Sequence, residues 1–513
     1  MVRREAAAFA GMLAARGSVE LMHATDTALL GHAGTGALQA ATLAELWTAP
    51  LEALLQERVL ATFVCNAAGA QRLDVAVRWL RAGLLAIFGL GLSVAVAWSC
   101  GLEPVLTALT HERQLIGPAI RYSLVRLLGL PARAAAVQLS QFLQSVERIA
   151  AVAVVGVACC AMNLVCGYVL VLHLGLGAAA CPWVTTATEY VQCAALLVSV
   201  APIVTRCTRA DTLGGEKRAE LLDATARTTS VASGEPFVDA PRVSRFLQLY
   251  LPAALSRASD FLRASLIGSI AAQISTDDLA AFSASYRIHE LGLVLSASWG
   301  GVAGLSLAHA LGAGDLRTAR RTTHVGMAVG VVAVVALATC VYLFAEPLGW
   351  VLLSESDTQE RFVAVRMPLA ATTLLMNATV LLEQLLLAAG RAKSVFLAGV
   401  VASWAVQLPA VAALVAWWRT DLIAVYSGVG LGYAAAAALL AWRLLRLDWS
   451  ALGDEAYARS SGGDDDSSSA GDADEDHPKA GTYKPPSVVP AMERIEAYPV
   501  GLDVPPEVVE IHG

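Results

Sequence analysis

Met22–Gly34 reads M-H-A-T-D-T-A-L-L-G-H-A-G. It sets one aspartate, Asp26, late in a run of alanine, leucine and other small residues, and the run stops at a Gly-His-Ala-Gly turn. A carboxylate inside an apolar helix is costly unless something uses it. Whether this run crosses a membrane therefore decides both the fold and the first candidate site.

The rest of the chain answers that question. Of 513 residues, 56% are hydrophobic and only 15% charged, and the mean hydropathy is +0.59. A soluble domain carries about 25% charged residues. Apolar runs of about 20 residues recur, each long enough to cross the hydrocarbon as a helix. They do not alternate with the period of 2 that barrel strands show. The fold class is therefore an all-α polytopic membrane protein.

Spans fall near 6–30, 45–68, 76–99, 117–143, 149–172 and 178–203. After a polar gap come 246–272, 279–308, 324–345, 363–388, 395–417 and 422–445, making twelve. Charge in the connections alternates with them. Arg72 and Arg78, Arg148, Arg206 to Arg218, Arg317 to Arg321, Arg391 and Lys393, and Arg443 and Arg446 lie in every second connection. The connections between (31–44, 173–177, 273–278, 346–360) are nearly free of basic residues or acidic. This pattern puts both termini in the cytoplasm.

The organisation reads as a six-helix lobe over 1–205, a cytoplasmic linker over 206–245, a second six-helix lobe over 246–446, and a disordered acidic tail over 447–513. The formal charge of −7 resides in that tail, which holds 15 acids against 4 Lys/Arg; the remainder is +4. The halves are weakly self-similar. Gly69-Ala70, Leu73, Ala76, Gln141, Leu143 and Arg148 recur as Gly312-Ala313, Leu316, Ala319, Gln384, Leu386 and Arg391, each 243 positions later. Duplicated lobes related by a pseudo-twofold axis are a common transporter construction. The nine cysteines form no C-x-x-C and mostly sit in apolar runs, so buried thiols are expected and no metal centre. No cleavable signal peptide is expected, because Arg16, Glu20, His23 and Asp26 interrupt the first run. That run begins almost at Met1, which leaves room for an upstream segment.

Four stretches resemble the multidrug and toxic compound extrusion (MATE) family. Asp26-Thr27 through Gly31-His32-Ala33-Gly34 resembles the D-x-x-x-x-G-x-x-G of its first helix. Cys65-Asn66-Ala67-Ala68-Gly69-Ala70 resembles the end of its second, with Asn where Gln is usual, and Leu311 to Asp315 with Ala319-Arg320 the end of its eighth. Leu386 to Pro409 resembles its tenth-to-eleventh hairpin. The resemblance covers roughly residues 6–445. It implies a secondary antiporter that exports small organic molecules in exchange for protons or sodium. It implies neither enzyme activity nor an organic cofactor, and G-x-x-x-x-G-K-[ST] is absent. The expected partners are a small organic cation or anion and the lipid of a plasma or organelle membrane, with no nucleic acid, for a monomer.

The resemblance carries two carboxylates over, Asp26 and Asp260, either of which would hold a sodium ion. Glu290 and Glu383 stand about one and two turns from the family's other acidic positions. Spacing adds further candidates. Glu20, His23 and Asp26 are three apart and can align as a relay on one face. Asp260 lies three residues from both Arg257 and Arg263, which suits an ion pair. Glu383, on an apolar helix with no basic neighbour within one turn, is then expected to take up the proton, together with Glu290. Arg126, Arg133, Gln141 and Gln144 form a stripe that either faces the cavity, suiting an anionic substrate, or pairs with Glu52 or Glu57.

Two rival functions use the same architecture or motifs. A lipid-linked oligosaccharide flippase shares the twelve-helix form, and the hairpin at 386–409 weighs against it. Gly312-Ala313-Gly314-Asp315 spells the G-x-G-D of intramembrane aspartyl proteases, but no Tyr-Asp partner precedes it. His289-Glu290 opens an H-E-x-x-H that ends on Leu293, so it makes no zinc site.

Overall fold

The computed structural model describes residues 2–33, 35–109, 113–212, 239–274, 276–352 and 356–461, all helices and turns with no strand among them. The first lobe holds α1 (Val2–Ala33), α2 (Thr35–Ala53) with α3 (Leu60–Gly69), α4 (Leu73–Leu109), α5 (Arg113–Ser145), α6 (Ile149–Gly167) and α7 (Cys181–Thr212). The second holds α8 (Ala240–Ile274), α9 (Thr276–Gly312), α10 (Leu316–Leu343), the short α11 (Ala345–Leu352) and α12 (Ser356–Ala364), and α13 (Arg366–Ala388). It closes with α14 (Ala392–Val400), which continues through a π-helical turn into α15 (Leu408–Trp417), and with α16 (Leu422–Leu445). With α2–α3 and α14–α15 each counted as one span, the twelve membrane-spanning helices form two six-helix lobes.

Three expectations are corrected. The connection expected at 31–44 is mostly helix, since α2 begins at Thr35. The second span is broken at 54–59, where Glu57 and Arg58 sit. The tail expected to be disordered from 447 opens instead with a helix, α17 (Trp449–Ser461). Asp448 caps it, accepting from Ser450 N at 3.0 Å and Ala451 N at 3.4 Å, and Leu452 and Ala456 are fully buried. Most of the linker expected over 206–245, and the tail beyond Ser461, lie outside the described residues.

Eight spans are apolar enough to cross a membrane on composition alone. The four that fall short are α1, α2–α3, α5 and α8, and these carry the charges named above. Inside lipid a charged helix must find its partners within the bundle. The broken span shows how the backbone is satisfied. Gln141 of α5 donates to Glu57 O at 3.1 Å and accepts from Ala61 N at 3.2 Å. The Tyr250 hydroxyl of α8 donates to Leu54 O at 3.0 Å and accepts from Glu57 N at 3.3 Å. Around the belt, large apolar side chains such as Leu92, Val198 and Val332 stand exposed, as lipid-facing residues do.

The duplication extends to backbone geometry. Gln71 and Glu147 have φ of +60° and +64°, and 243 residues later Gly314 and Gly390 have +72° and +79°. Each closes a helix in a Schellman turn. The six-residue bonds run from Arg72 N to Ala67 O (2.8 Å), Asp315 N to Ala310 O (3.0 Å), Arg148 N to Leu143 O and Arg391 N to Leu386 O (both 2.8 Å). We call the end carrying these turns the basic end. Glycine adopts this conformation freely and other residues do not. Gly314→Ala should therefore cost about 1 kcal/mol, while Gln71→Gly at the equivalent place should leave stability unchanged or raise it. Thermal unfolding of the solubilised protein measures both.

At the basic end the lobes touch across the pseudo-twofold axis. A Cβ added at Gly69 would lie 2.2 Å from His309 O, and one at Gly312 would lie 2.1 Å from Asn66 O. Asn66 and His309 are themselves 243 residues apart, so one contact is the image of the other. Thr62 donates to Leu387 O at 3.0 Å, and His309 Nε2 lies 2.6 Å from Ser145 O. Helix α17 covers this seam. Trp79 Nε1 of the first lobe donates to Arg459 O at 3.1 Å, and Arg391 of the second pairs with Glu455 at 2.9 Å. With its amide turned to suit its partners, Asn66 donates to Ala308 O at 2.8 Å and accepts from Arg459 Nε at 2.9 Å. This end of the interface is closed.

Candidate functional site

Asp26 faces the inside of the first lobe and is 8% exposed. Asn163 of α6 donates to its Oδ1 at 2.9 Å, and Thr185 of α7 donates to its Oδ2 at 2.7 Å. Thr188 donates to Asn163 Oδ1 at 3.4 Å, which fixes the amide with its nitrogen towards Asp26. No lysine, arginine or histidine lies within 4 Å of the carboxylate among the described residues. It is a buried acid held by neutral donors, one amide and one hydroxyl. The signal for Asn163, an amide inside A-C-C-A-M-N-L-V, was present in the sequence and went unread.

The relay expected from Glu20, His23 and Asp26 is not assembled. Glu20 and His23 are exposed while Asp26 is buried, and no hydrogen bond links them. Successive steps of three rotate by about 300° rather than 360°, and over six residues that turns Asp26 away from Glu20.

The stripe on α5 divides. Arg126 Nη1 bonds Glu189 Oε1 at 2.9 Å, and Arg133 reaches the same carboxylate at 2.8 and 3.2 Å while also pairing with Glu52. Glu189 is 2% exposed. Two arginines and two glutamates thus neutralise one another between α2, α5 and α7. Pairing with Glu52 was one of the two expectations. Glu189 was missed, although a lone acid in an apolar span is a signal in itself. Farther along, Gln141 and Gln144 serve the α2–α3 break, with Arg58 Nη1 donating to Gln144 Oε1 at 3.2 Å.

In the second lobe Asp260 pairs with Arg263 at 3.1 Å. Arg263 also donates to Ser403 Oγ at 2.8 Å and Tyr433 OH at 3.1 Å and lies over the Tyr433 ring. Arg257 lies over Phe261 instead. Glu383 is half-buried, and it lies within electrostatic reach of Asp260, Arg257 and Arg263. Basic groups are absent within one turn of it on its own helix, but Arg257 and Arg263 act on it from another. The side chain of Glu290 lies outside the described residues.

Asp315 of the G-x-G-D caps α10, accepting from Thr318 N at 3.0 Å and Thr318 Oγ1 at 2.5 Å. These bonds hold its carboxyl below the usual range. It is a helix cap at the basic end. Among the described residues no group of three or more His, Cys, Asp or Glu could hold a metal.

Between the lobes, above the closed seam, lies a small cavity of about 40 Å³. Arg16, Arg58, Gln141 and Gln144 line it from one lobe, and Gly301, Gly304 and Gln384 from the other.

Comparison with known proteins agrees with this architecture. A probable multidrug resistance protein, NorM, of Chromobacterium violaceum is 26% identical over 257 residues, and the match spans about half of either chain (49%). The solved structure of a eukaryotic MATE transporter, AtDTX14, superposes with a TM-score of 0.76 at 15% identity, covering 90% of this chain and 98% of that one. A MOP superfamily transporter from Pyrococcus furiosus gives 0.74 at 16% identity, covering 88% and 96%. The family model MatE matches residues 15–169 and 252–412, more than half of the sequence and in both lobes. The chain belongs to the MatE family of multidrug and toxic compound extrusion proteins.

Proposed function

We propose that the protein is a secondary antiporter, exporting small organic molecules against protons or sodium by alternating access of its two lobes. The observation that carries this is Asp26, a buried carboxylate with neutral partners. Keeping such a group in the membrane costs about 2.5–3.5 kcal/mol, which an entering cation offsets. The Asp26 carboxylate and the Thr185 hydroxyl are hard oxygen donors that suit sodium, and Asp26 alone suits a proton. Asp260 suits neither as well, because Arg263 already neutralises it. The protonatable role in the second lobe therefore falls to Glu383. The basic turns all fall at one end, which supports a cytoplasmic basic end with both termini on that side. Each chain encloses its own interface, which supports a working monomer in a plasma or organelle membrane.

The test uses the full chain in proteoliposomes, with imposed pH or sodium gradients and a panel of organic ions. Asp26→Asn should lower gradient-driven accumulation more than tenfold while leaving the protein folded and able to exchange substrate without a gradient. Undiminished accumulation in that variant would remove Asp26 from the mechanism.

A further inference from the structure

The charges of the first lobe fall into two groups that differ in one respect. Arg126 and Arg133 have their carboxylates in contact. Arg16 and Arg58 do not: no carboxylate lies within 4 Å of either guanidinium among the described residues. Glu57 and Glu20 act on Arg16 from farther away, and Arg58 and Arg257 repel it. Arg16 reaches across the interface, its Nη2 standing 3.2 Å from where a Cβ of Gly301 would be. A side chain at that position would displace the guanidinium.

Both arginines open on the inter-lobe cavity, and the donors there are left over. Arg16 Nε is buried without a partner, and so is Nε2 of Gln144, a side chain only 4% exposed. Arg58 spends one donor on Gln144 Oε1. The cavity thus presents unpartnered N–H groups and positive charge with no carboxylate in contact among the described residues. Its volume of about 40 Å³ would hold roughly three waters, or one carboxylate. Buried donors without acceptors are costly, and an arginine fork fits a carboxylate with two bonds.

We propose that Arg16, Arg58 and Gln144 form a binding site for the carboxylate of a small organic anion, which makes organic carboxylates a substrate class of this protein. The site rests on the transport reading above and adds its substrate chemistry. The second lobe contributes a glycine face, Gly301 and Gly304, and Gln384, which leave room for the rest of the molecule when the lobes part. An organic cation gains nothing from these groups.

The test measures p-aminohippurate and tetraethylammonium with the full chain, by exchange uptake in proteoliposomes without gradients and by thermal shift in detergent. Wild type should exchange p-aminohippurate saturably and be stabilised by it. Arg16→Gln and Arg58→Gln should each raise its half-saturation about tenfold or more, as expected for losing a charge-assisted bond. Arg16→Lys should fall between, keeping the charge and losing the fork. Size-exclusion profiles identify any variant that fails to fold, and the wild-type result stands without them. If p-aminohippurate is not exchanged and does not stabilise the protein, the anion site is overturned, and if tetraethylammonium still exchanges the transport reading survives. Half-saturation unchanged in both glutamine variants also overturns it. Stabilisation without exchange of either ion supports the site and counts against transport.

Discussion

Gly69→Ala and Gly312→Ala should each reduce transport at least tenfold and leave the basic end unable to close. The atoms that a new methyl group would meet are main-chain atoms, His309 O at 2.2 Å and Asn66 O at 2.1 Å. A main-chain oxygen cannot swing aside as a long side chain can. Ordinary contact needs about 3.5 Å or more, so the helices would have to part by roughly 1 Å. That would also stretch the Thr62–Leu387 and His309–Ser145 contacts. Overpacking of this kind costs about 1–3 kcal/mol, and every 1.4 kcal/mol lowers the population of the closed state about tenfold. A carrier that works by alternating access stalls when one of its closed states is lost. Cys65 reports the opening directly, because it is fully buried beside this seam. With Cys100 and Cys340 replaced by serine, a maleimide should label Cys65 in either alanine variant faster than in the parent. Full transport together with an unreactive Cys65 would show that these glycines do not govern closure.

The seven matches at an offset of 243 were legible in the sequence, and the structure shows what lies behind them. Two matched glycines, Gly69 and Gly312, are the reciprocal contact itself. The left-handed turns were hidden in the first lobe, since Gln71 and Glu147 do not announce a positive φ as Gly314 and Gly390 do. Helix α17 was hidden by averaging. The acidic, serine-rich stretch after Ser461 swamped a short segment with its own aspartate cap and its own buried Leu452 and Ala456. The twelve spans survived their charges because the connections between them carried an independent record. The partners of those charges were harder to read. Arg126 meets Glu189 across 63 residues, and Glu383 comes within electrostatic reach of Arg257 and Arg263 on another helix. Spacing along one helix says which face a side chain shares, and nothing about what that face is packed against.

That gap separates two roles for Arg126 and Arg133, and one residue decides between them. Glu189→Gln should strongly impair folding. Glu189 is buried and bonds both arginines, and of the two only Arg133 also pairs with Glu52 among the described residues. Its loss changes a neutral group of four into one with a net positive charge inside the membrane. Breaking a buried ion pair from one side costs about 3–5 kcal/mol, a large part of the stability of most domains. Removing Arg126 alone leaves an excess carboxylate and should be damaging for the same reason. Removing both restores neutrality, with Arg133 still bound to Glu52. The double variant, Arg126→Gln with Glu189→Gln, should therefore be more stable than the sum of the single losses by at least about 1 kcal/mol, within the range of directly coupled residues. Yield and thermal unfolding of the four proteins measure this, and exchange uptake of p-aminohippurate is read in parallel. If the arginines served the substrate instead, the double variant would fold no better than the additive value and would lose uptake. A stable double variant that still transports would fix the cluster as the brace that holds α2, α5 and α7 together around Asp26.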